Sequence, residues 1–174
     1  MKKLFLTNLI YGLLTIYSFG QNESIESKLM DCVYENRPGF KEFINNYEQL
    51  LISENILTDK NGMSYKILLE RIRFDKQFDY CASKSYMDEN LKLVESNGDL
   101  IRTCQSQLLN ESKEQNLKIN EMRNALNNLV ISGNLNPSNI ANEILSVLSE
   151  KEFEHYYYRD KLLFLLSIIC KSKK

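Results

Sequence analysis

Apolar residues recur every three or four positions along most of this chain, and no stretch alternates apolar and polar residues with a period of two. Recurrence at the helical period is typical of amphipathic helices with one buried face. The clear stripes are Ile25, Leu29, Cys32 and Val33, then Phe40, Phe43, Ile44, Tyr47, Leu50 and Leu51, then Tyr65, Leu68, Leu69 and Ile72. Pro38-Gly39 and Asn61-Gly62 provide turns between these stripes, so this half of the chain predicts three helices.

A looser pattern extends from Phe78 to Ser96. Asp99 then fits the N-cap of a long helical segment that ends near Ile131. The middle of this segment, Asn110 to Asn116, is wholly polar. Two explanations remain open, because the helix either projects beyond the bundle at this point or breaks there.

The last part of the chain predicts two further helices. Gly133 fits a helix C-terminus, and Asn136-Pro137 fits an N-cap followed by proline in the first turn. Ser149 and Glu152 form a capping box that opens the final helix. Residues Leu162 to Cys170 of that helix are apolar on almost every side, and they are too few to cross a membrane. We therefore expect the final helix to lie in the core.

The first twenty residues resemble a secretory signal peptide, with a basic start, an apolar run and a small-residue cleavage site. These features are Lys2 and Lys3, then Leu4 to Phe19, then Ser18-Phe19-Gly20. An uncleaved membrane anchor is the alternative, and the short run interrupted by Asn8 disfavours it. We expect cleavage before Gln21 and no integral membrane segment afterwards. The sequence thus predicts a signal peptide, 1–20, and an all-α single-domain bundle of about six helices, 21–174.

Four cysteines lie in the predicted mature domain, at Cys32, Cys81, Cys104 and Cys170. An even number in an exported chain favours two disulfides, and no CxxC pair indicates a metal site or a redox motif. The helix order places Cys104 and Cys170 at the same end of an antiparallel helix pair. The favoured disulfides are therefore Cys104–Cys170 and Cys32–Cys81, with buried free thiols as the alternative.

Charge and composition exclude several classes of partner. Residues 1–20 carry two lysines and no acid, so the mature domain has 20 Lys and Arg against 23 Asp and Glu, a net charge of −3. This balance gives no electrostatic reason to expect nucleic acid or an anionic membrane.

The segment from Asp59 to Gly62 does not form a calcium-binding loop, because Leu57 and Leu68 occupy two of the ligand positions that such a loop requires. We expect neither a metal nor a cofactor.

His155 is the only histidine, and histidine is the usual general base of hydrolases. No GxSxG elbow and no cysteine in a recognisable catalytic setting accompanies it. A catalytic role would require that His155 lies in a cleft beside acids distant in sequence. The sequence therefore favours a non-enzymatic protein.

Three consecutive tyrosines followed by an arginine, Tyr156, Tyr157, Tyr158 and Arg159, form a candidate interface. Three consecutive helical residues cover most of the circumference, so the tyrosines cannot all face the core. At least one should be partly exposed beside Arg159. Protein interfaces are enriched in such aromatic and arginine side chains. The alternative is that these tyrosines are partly buried and need no partner.

The sequence thus predicts a secreted or periplasmic protein that binds another protein or has a structural role in the cell envelope or extracellular space. The alternative is a carrier of a small apolar ligand in a cavity of the bundle. A closed core without a cavity of roughly 300 Å³ would argue against the carrier.

Overall fold

The computed structural model describes residues 24–82, 98–112 and 117–172. The predicted signal peptide, 1–20, and most of the looser stretch from Phe78 to Ser96 lie outside these ranges. Within them the fold is all-α, as predicted, with seven helices and no strand. The helices are α1 (Ile25–Asn36), α2 (Phe40–Ser53), α3 (Gly62–Phe74), α4 (Gly98–Glu111), α5 (Leu117–Ser132), α6 (Pro137–Val147) and α7 (Tyr156–Ser172), with a 3₁₀ turn at Glu152–Glu154 before α7.

Side-chain caps fix the starts of three helices. Ser24 accepts a hydrogen bond from the Ser27 amide at α1, at 3.2 Å. At α6, Asn136 accepts one from the Asn139 amide at 2.9 Å, and Pro137 is the first helical residue. The predicted Asn-Pro start is thereby confirmed. These bonds satisfy amide groups that lack partners within the helix, which defines where each helix begins.

The turn predicted at Asn61-Gly62 has a more specific structural role. Asn61 caps α3 by accepting a hydrogen bond from the Ser64 amide at 2.9 Å. A Cβ atom on Gly62 would lie 1.9 Å from the backbone oxygen of Glu150. The glycine is therefore required by the close approach of the segment before the 3₁₀ turn. The Gly62 amide also donates to the Glu154 carboxylate at 2.8 Å.

The long segment predicted from Asp99 to Ile131 consists of two helices. Helix α4 ends at Glu111, Ser112 is not helical, and α5 begins at Leu117. This result resolves the two explanations for the polar stretch Asn110 to Asn116 in favour of a break, although residues 113–116 lie outside the described ranges. The break allows α4 and α5 to pack against different neighbours. Helix α4 packs on α1, whereas α5 packs on α6, which also packs on α3.

One cluster of buried side chains connects all seven helices. Its largest fully buried members are Tyr47, Tyr65, Phe153 and Tyr158. Helix α7 contacts α1 and α2, and its residues Leu162, Leu163 and Leu166 are buried, as expected for a core helix. Ile168 is the exception on the same helix, with 45% of its surface exposed. No helix in the described part of the chain is both long and apolar enough to span a membrane.

All four cysteines form disulfides, but the predicted pairing is wrong. The structure joins Cys32 to Cys104 and Cys81 to Cys170, with Cα–Cα distances of 6.0 and 5.5 Å. The prediction treated Cys104 as part of one long helix lying antiparallel to the last one. Because that segment breaks, α4 packs on α1 and brings Cys104 to Cys32. Cys81 follows α3 in a non-helical segment, which reaches the end of α7.

Candidate functional site

The predicted interface at Tyr156 to Arg159 is largely turned inward. Tyr157 and Tyr158 are buried, with 9% and 1% of their surfaces exposed, so they cannot present an open surface to a partner. Tyr156 and Arg159 are half-buried. Tyr156 stacks on Tyr34 of α1 at 6.3 Å between ring centroids. The structure therefore restricts the accessible part of the candidate interface to Tyr156 and Arg159, and a protein contact there stays a prediction.

Tyr156 and Arg159 line a polar cavity of about 310 Å³. We use the name polar cavity for the space bounded by Asp31, Tyr34, Lys41, Asn45, Glu48, Tyr156, Arg159 and Asp160. Helices α1, α2 and α7 contribute these residues. The carboxylates of this cavity receive hydrogen bonds from tyrosine hydroxyls. Tyr34 donates to Asp160 Oδ2 at 2.5 Å, and Tyr65, from outside the lining, donates to Glu48 Oε1.

Cations complete the network around the polar cavity. The Lys60 ammonium lies 2.6 Å from Glu48 Oε2, and Arg159 Nη1 donates to the backbone oxygen of Lys60 at 2.5 Å. Burial raises the pKa of Asp160 to about 6, although the Tyr34 hydrogen bond and the Arg159 charge oppose the shift. Burial, followed by the hydrogen bond to Glu48, raises the pKa of Tyr65. The carboxylates of Glu48 and Asp160 are thus bound by partners within the protein itself.

His155 lies outside both this cavity and the groove described next. Its side chain is exposed at the junction between the 3₁₀ turn and α7. Neither of these two cavities therefore places His155 beside acids distant in sequence, and the non-enzymatic role stays a prediction. Asp160 can exchange a proton near neutral pH, but its Oδ2 is already occupied by the Tyr34 hydroxyl.

A second cavity, the cationic groove, has a volume of about 350 Å³ and lies between α1, α4, α5 and α7. Its apolar floor consists of Leu29, Leu109, Ile119, Met122, Leu126 and Tyr157. Its polar lining consists of Arg102, Gln105, Ser106, Arg123, Asn127 and Lys161. Helices α4 and α5 each present one face to it, because their lining residues are spaced by three or four positions. Gln105 holds the α1 wall by donating to the Leu29 carbonyl at 3.0 Å.

The charges of the groove differ in kind from those of the polar cavity. Three cations line it, Arg102, Arg123 and Lys161, and no described acidic residue does. Arg102 forms an exposed pair with Asp99 at 3.3 Å. Arg123 donates to the amide oxygen of Asn120 at 3.1 Å. The Lys161 ammonium lies 5.8 Å from the centre of the Tyr157 ring.

Lys161 is the most buried of these cations. Burial, with a smaller contribution from the Arg37 charge, lowers its pKa, and Asp160 opposes this shift. Within the described part of the chain, no carboxylate lies within ion-pair distance of its ammonium group. Partial burial without an acidic partner disfavours the charged form of this lysine.

Exposed apolar side chains cluster at another part of the molecule, which we call the apolar end. It comprises Phe74, Val130, Ile131 and Leu135, which are 71%, 62%, 84% and 52% exposed. The ends of α3 and α5 and the start of α6 meet here, since the Ser138 hydroxyl of α6 donates to the Arg73 carbonyl of α3 at 2.8 Å.

Comparison with known proteins supplies no relative: no family model, no curated protein and no solved structure matches this chain. Nor do the described residues bring three or more His, Cys, Asp or Glu side chains together as a metal site. The function therefore has to be argued from the two cavities and the apolar end.

Sequence analysis identified the tyrosine segment but missed the groove. Ile119, Met122 and Leu126 belong to a recognisable apolar stripe, and Arg123 interrupts the same face. Arg123, a cation within an apolar helix face, was the sequence signal that could have indicated the groove. The role of Lys161 could not be inferred in this way, because it depends on α7 lining the same groove as α4 and α5.

Proposed function

We propose that this protein is an exported, non-enzymatic binding protein that carries a small apolar ligand in the cationic groove. One observation carries this proposal, the groove of about 350 Å³ with six apolar or aromatic side chains on its floor. Ligand cavities in proteins have volumes of about 300–1,000 Å³ and mostly apolar linings. The cavity thus exceeds the size below which a carrier would be disfavoured.

Two further features support an exported binding protein. All four cysteines are paired, which is compatible with an oxidising compartment outside the cytosol. The absence of a recognisable catalytic motif in the sequence, together with the exposed position of His155, favours binding over catalysis. Hydrolysis of ester, peptide or glycoside substrates by the purified protein, lost in the His155→Ala variant, would contradict the non-enzymatic part.

A titration with the neutral fluorophore N-phenyl-1-naphthylamine tests the carrier. We expect saturable binding of one molecule per chain, with loss of binding in Leu126→Trp, because the larger ring fills the groove. The matched control is Ile168→Trp, which adds the same ring to an exposed position of α7. Equal loss of binding in both variants, or no saturable binding by the unmodified protein, would overturn the assignment of the groove.

The apolar end supports a second candidate function, the binding of another protein. Large exposed apolar patches mark interaction sites, and here Phe74, Ile131 and Leu135 are each more than half exposed. A photo-crosslinking residue at position 131, introduced in the organism that makes the protein, should trap one defined partner. We expect Phe74→Asp to abolish that crosslink. A crosslinker at Glu42, which is exposed on α2, is the control, and the same products from both positions would contradict this function.

A further inference from the structure

We propose that the ligand of the cationic groove is an amphipathic anion, with an apolar chain on the groove floor and a carboxylate bound by Lys161 and Arg123. This inference rests on the proposed carrier function and specifies its ligand class. It predicts that the groove binds anionic alkyl compounds more tightly than neutral ones, whereas a purely apolar carrier would not distinguish them in this way.

The charge pattern of the lining supplies the first argument. Lys161 of α7, Arg123 of α5 and Arg102 of α4 approach the groove from three different helices, and no described carboxylate lines it. The polar cavity, which shares the walls α1 and α7, places Lys41 and Arg159 beside the acids Asp31, Glu48 and Asp160. Of these two cavities, only the groove therefore offers a negative group cations without an acid in the lining.

The position of Lys161 supplies the second argument. Its side chain is half-buried, its ammonium lies 5.8 Å from the centre of the Tyr157 ring, and it has no ion-pair partner among the described residues. A bound carboxylate would provide that partner, and charge-assisted hydrogen bonds of this kind are stronger than neutral ones. Arg123 and Tyr157 line the same groove as Lys161, so two of its three cations come from the facing helices α5 and α7.

The floor supplies the third argument, because it determines what the rest of the ligand must be. Leu109, Ile119, Met122 and Leu126 offer no charged group and form a surface between α4 and α5. A small inorganic anion would leave this floor exposed to water. An alkyl chain would cover it, and each methylene buried there should tighten binding about fourfold.

Isothermal titration calorimetry at pH 7.5 tests this ligand class with decanoate, 1-decanol, decylamine and acetate. We expect decanoate to bind with one-to-one stoichiometry, at least tenfold more tightly than decanol or decylamine, and acetate not to bind measurably. Octanoate should bind more weakly than decanoate by about fifteenfold, the product of two methylene steps.

The double variant Lys161→Gln with Arg123→Gln should lower decanoate affinity at least tenfold and change decanol affinity less than twofold. Lys76→Gln with Lys151→Gln removes the same charge from exposed positions and should change neither affinity. Thermal unfolding of both double variants verifies that they fold. Equal binding of decanoate and decanol would overturn the anion inference while the carrier stands. Decanoate affinity unaffected by the groove variant would overturn the assigned residues, and binding of no alkyl ligand would overturn the carrier itself.

Discussion

The polar cavity and the cationic groove have similar volumes, about 310 and 350 Å³, and both use α1 and α7 as walls. The two cavities differ in whether their charged side chains have partners within the protein. In the polar cavity, Glu48 accepts a hydrogen bond from the buried Tyr65 hydroxyl and Asp160 accepts one from half-buried Tyr34. In the groove, half-buried Lys161 has no ion-pair partner within the described residues. Volume alone therefore does not mark a binding site. A charged side chain without an ion-pair partner, beside apolar surface, is the more informative feature.

The largest expected effects come from removing the disulfides. The two disulfides should differ in how much their removal affects the groove. Cys32–Cys104 joins α1 to α4, two walls of the groove, and spans 72 residues, whereas Cys81–Cys170 spans 89. Replacing either pair by serine should lower the free energy of unfolding by about 4 kcal/mol on the chain-entropy model. Loss of Cys32–Cys104, which joins two walls to each other, should weaken ligand binding more than loss of Cys81–Cys170, which anchors only the far end of the α7 wall. Urea denaturation and fluorophore titration measure the two effects, and equal loss of binding in both variants would contradict the role of α1 and α4.

The polar cavity should show a pH dependence that originates from Asp160. Its pKa is about 6 in the folded protein and 3.8 in its ordinary state, so the folded state binds its proton more tightly. Its contribution to stability is present below about pH 4 and is lost as the pH rises through 6. Asp160→Asn keeps an acceptor for Tyr34 and removes the charge. We expect its stability relative to the unmodified protein to increase by up to about 3 kcal/mol between pH 4 and pH 7.

Denaturation curves recorded at several pH values would test this expectation. The decisive quantity is the stability difference between Asp160→Asn and the unmodified protein, because other groups titrate equally in both. A difference that stays constant across this range would show that the polar cavity does not disfavour the charged form of Asp160. Tyr34→Phe should shift the dependence to higher pH, since the lost hydrogen bond favours the charged carboxylate.

Removal of one hydroxyl group tests whether the polar network stabilises the fold. Tyr65→Phe removes the donor to buried Glu48 and should lower the free energy of unfolding by about 2 kcal/mol. Tyr157→Phe is the matched control on a buried tyrosine, whose hydroxyl forms no hydrogen bond within the described residues, and should cost less than about 0.5 kcal/mol. Equal losses in chemical denaturation would show that the Glu48 contact has no special value.

The smallest expected effect is a gain in stability, and it concerns Lys161 in the groove. Lys161→Met removes a half-buried charge and keeps an apolar stem, so we expect the empty protein to gain up to about 1 kcal/mol of stability. Lys41→Met changes an exposed lysine whose ammonium lies 5.2 Å from the centre of the Tyr34 ring, at the polar cavity. No gain is expected there. A loss of stability in Lys161→Met would mean that the lysine is already satisfied within the protein.

The helices were predictable because their signals are local. Asn136-Pro137 and the apolar stripe of α2 act through residues close in sequence, and these features placed their helices without knowledge of the packing. The polar stretch after α4, by contrast, was compatible with both a break and a projecting helix. The capping box at Ser149 and Glu152 was also recognisable, since the Ser149 amide donates to the Glu152 carboxylate at 2.7 Å. It opens the 3₁₀ turn, however, and α7 begins later, at Tyr156.

The site and the disulfide pairing depend on tertiary arrangement and were not predictable in the same way. A one-dimensional pattern shows that Tyr157 and Tyr158 lie on different sides of α7, but not that both sides are covered. Likewise, Arg123 and Lys161 are 38 positions apart in the sequence, and only the folded chain makes them line one groove. Interactions between elements far apart in sequence therefore account for most of what was missed.

The two disulfides overlap along the chain, because Cys81 lies inside the segment closed by Cys32–Cys104 and Cys104 lies inside the segment closed by Cys81–Cys170. A protease that cuts the backbone once anywhere between Cys32 and Cys170 therefore leaves both pieces joined by at least one covalent bridge. Consecutive bridges would have allowed a cut between Cys81 and Cys104 to release two separate halves. The overlapping arrangement therefore keeps the domain one covalent unit after a single cut between Cys32 and Cys170.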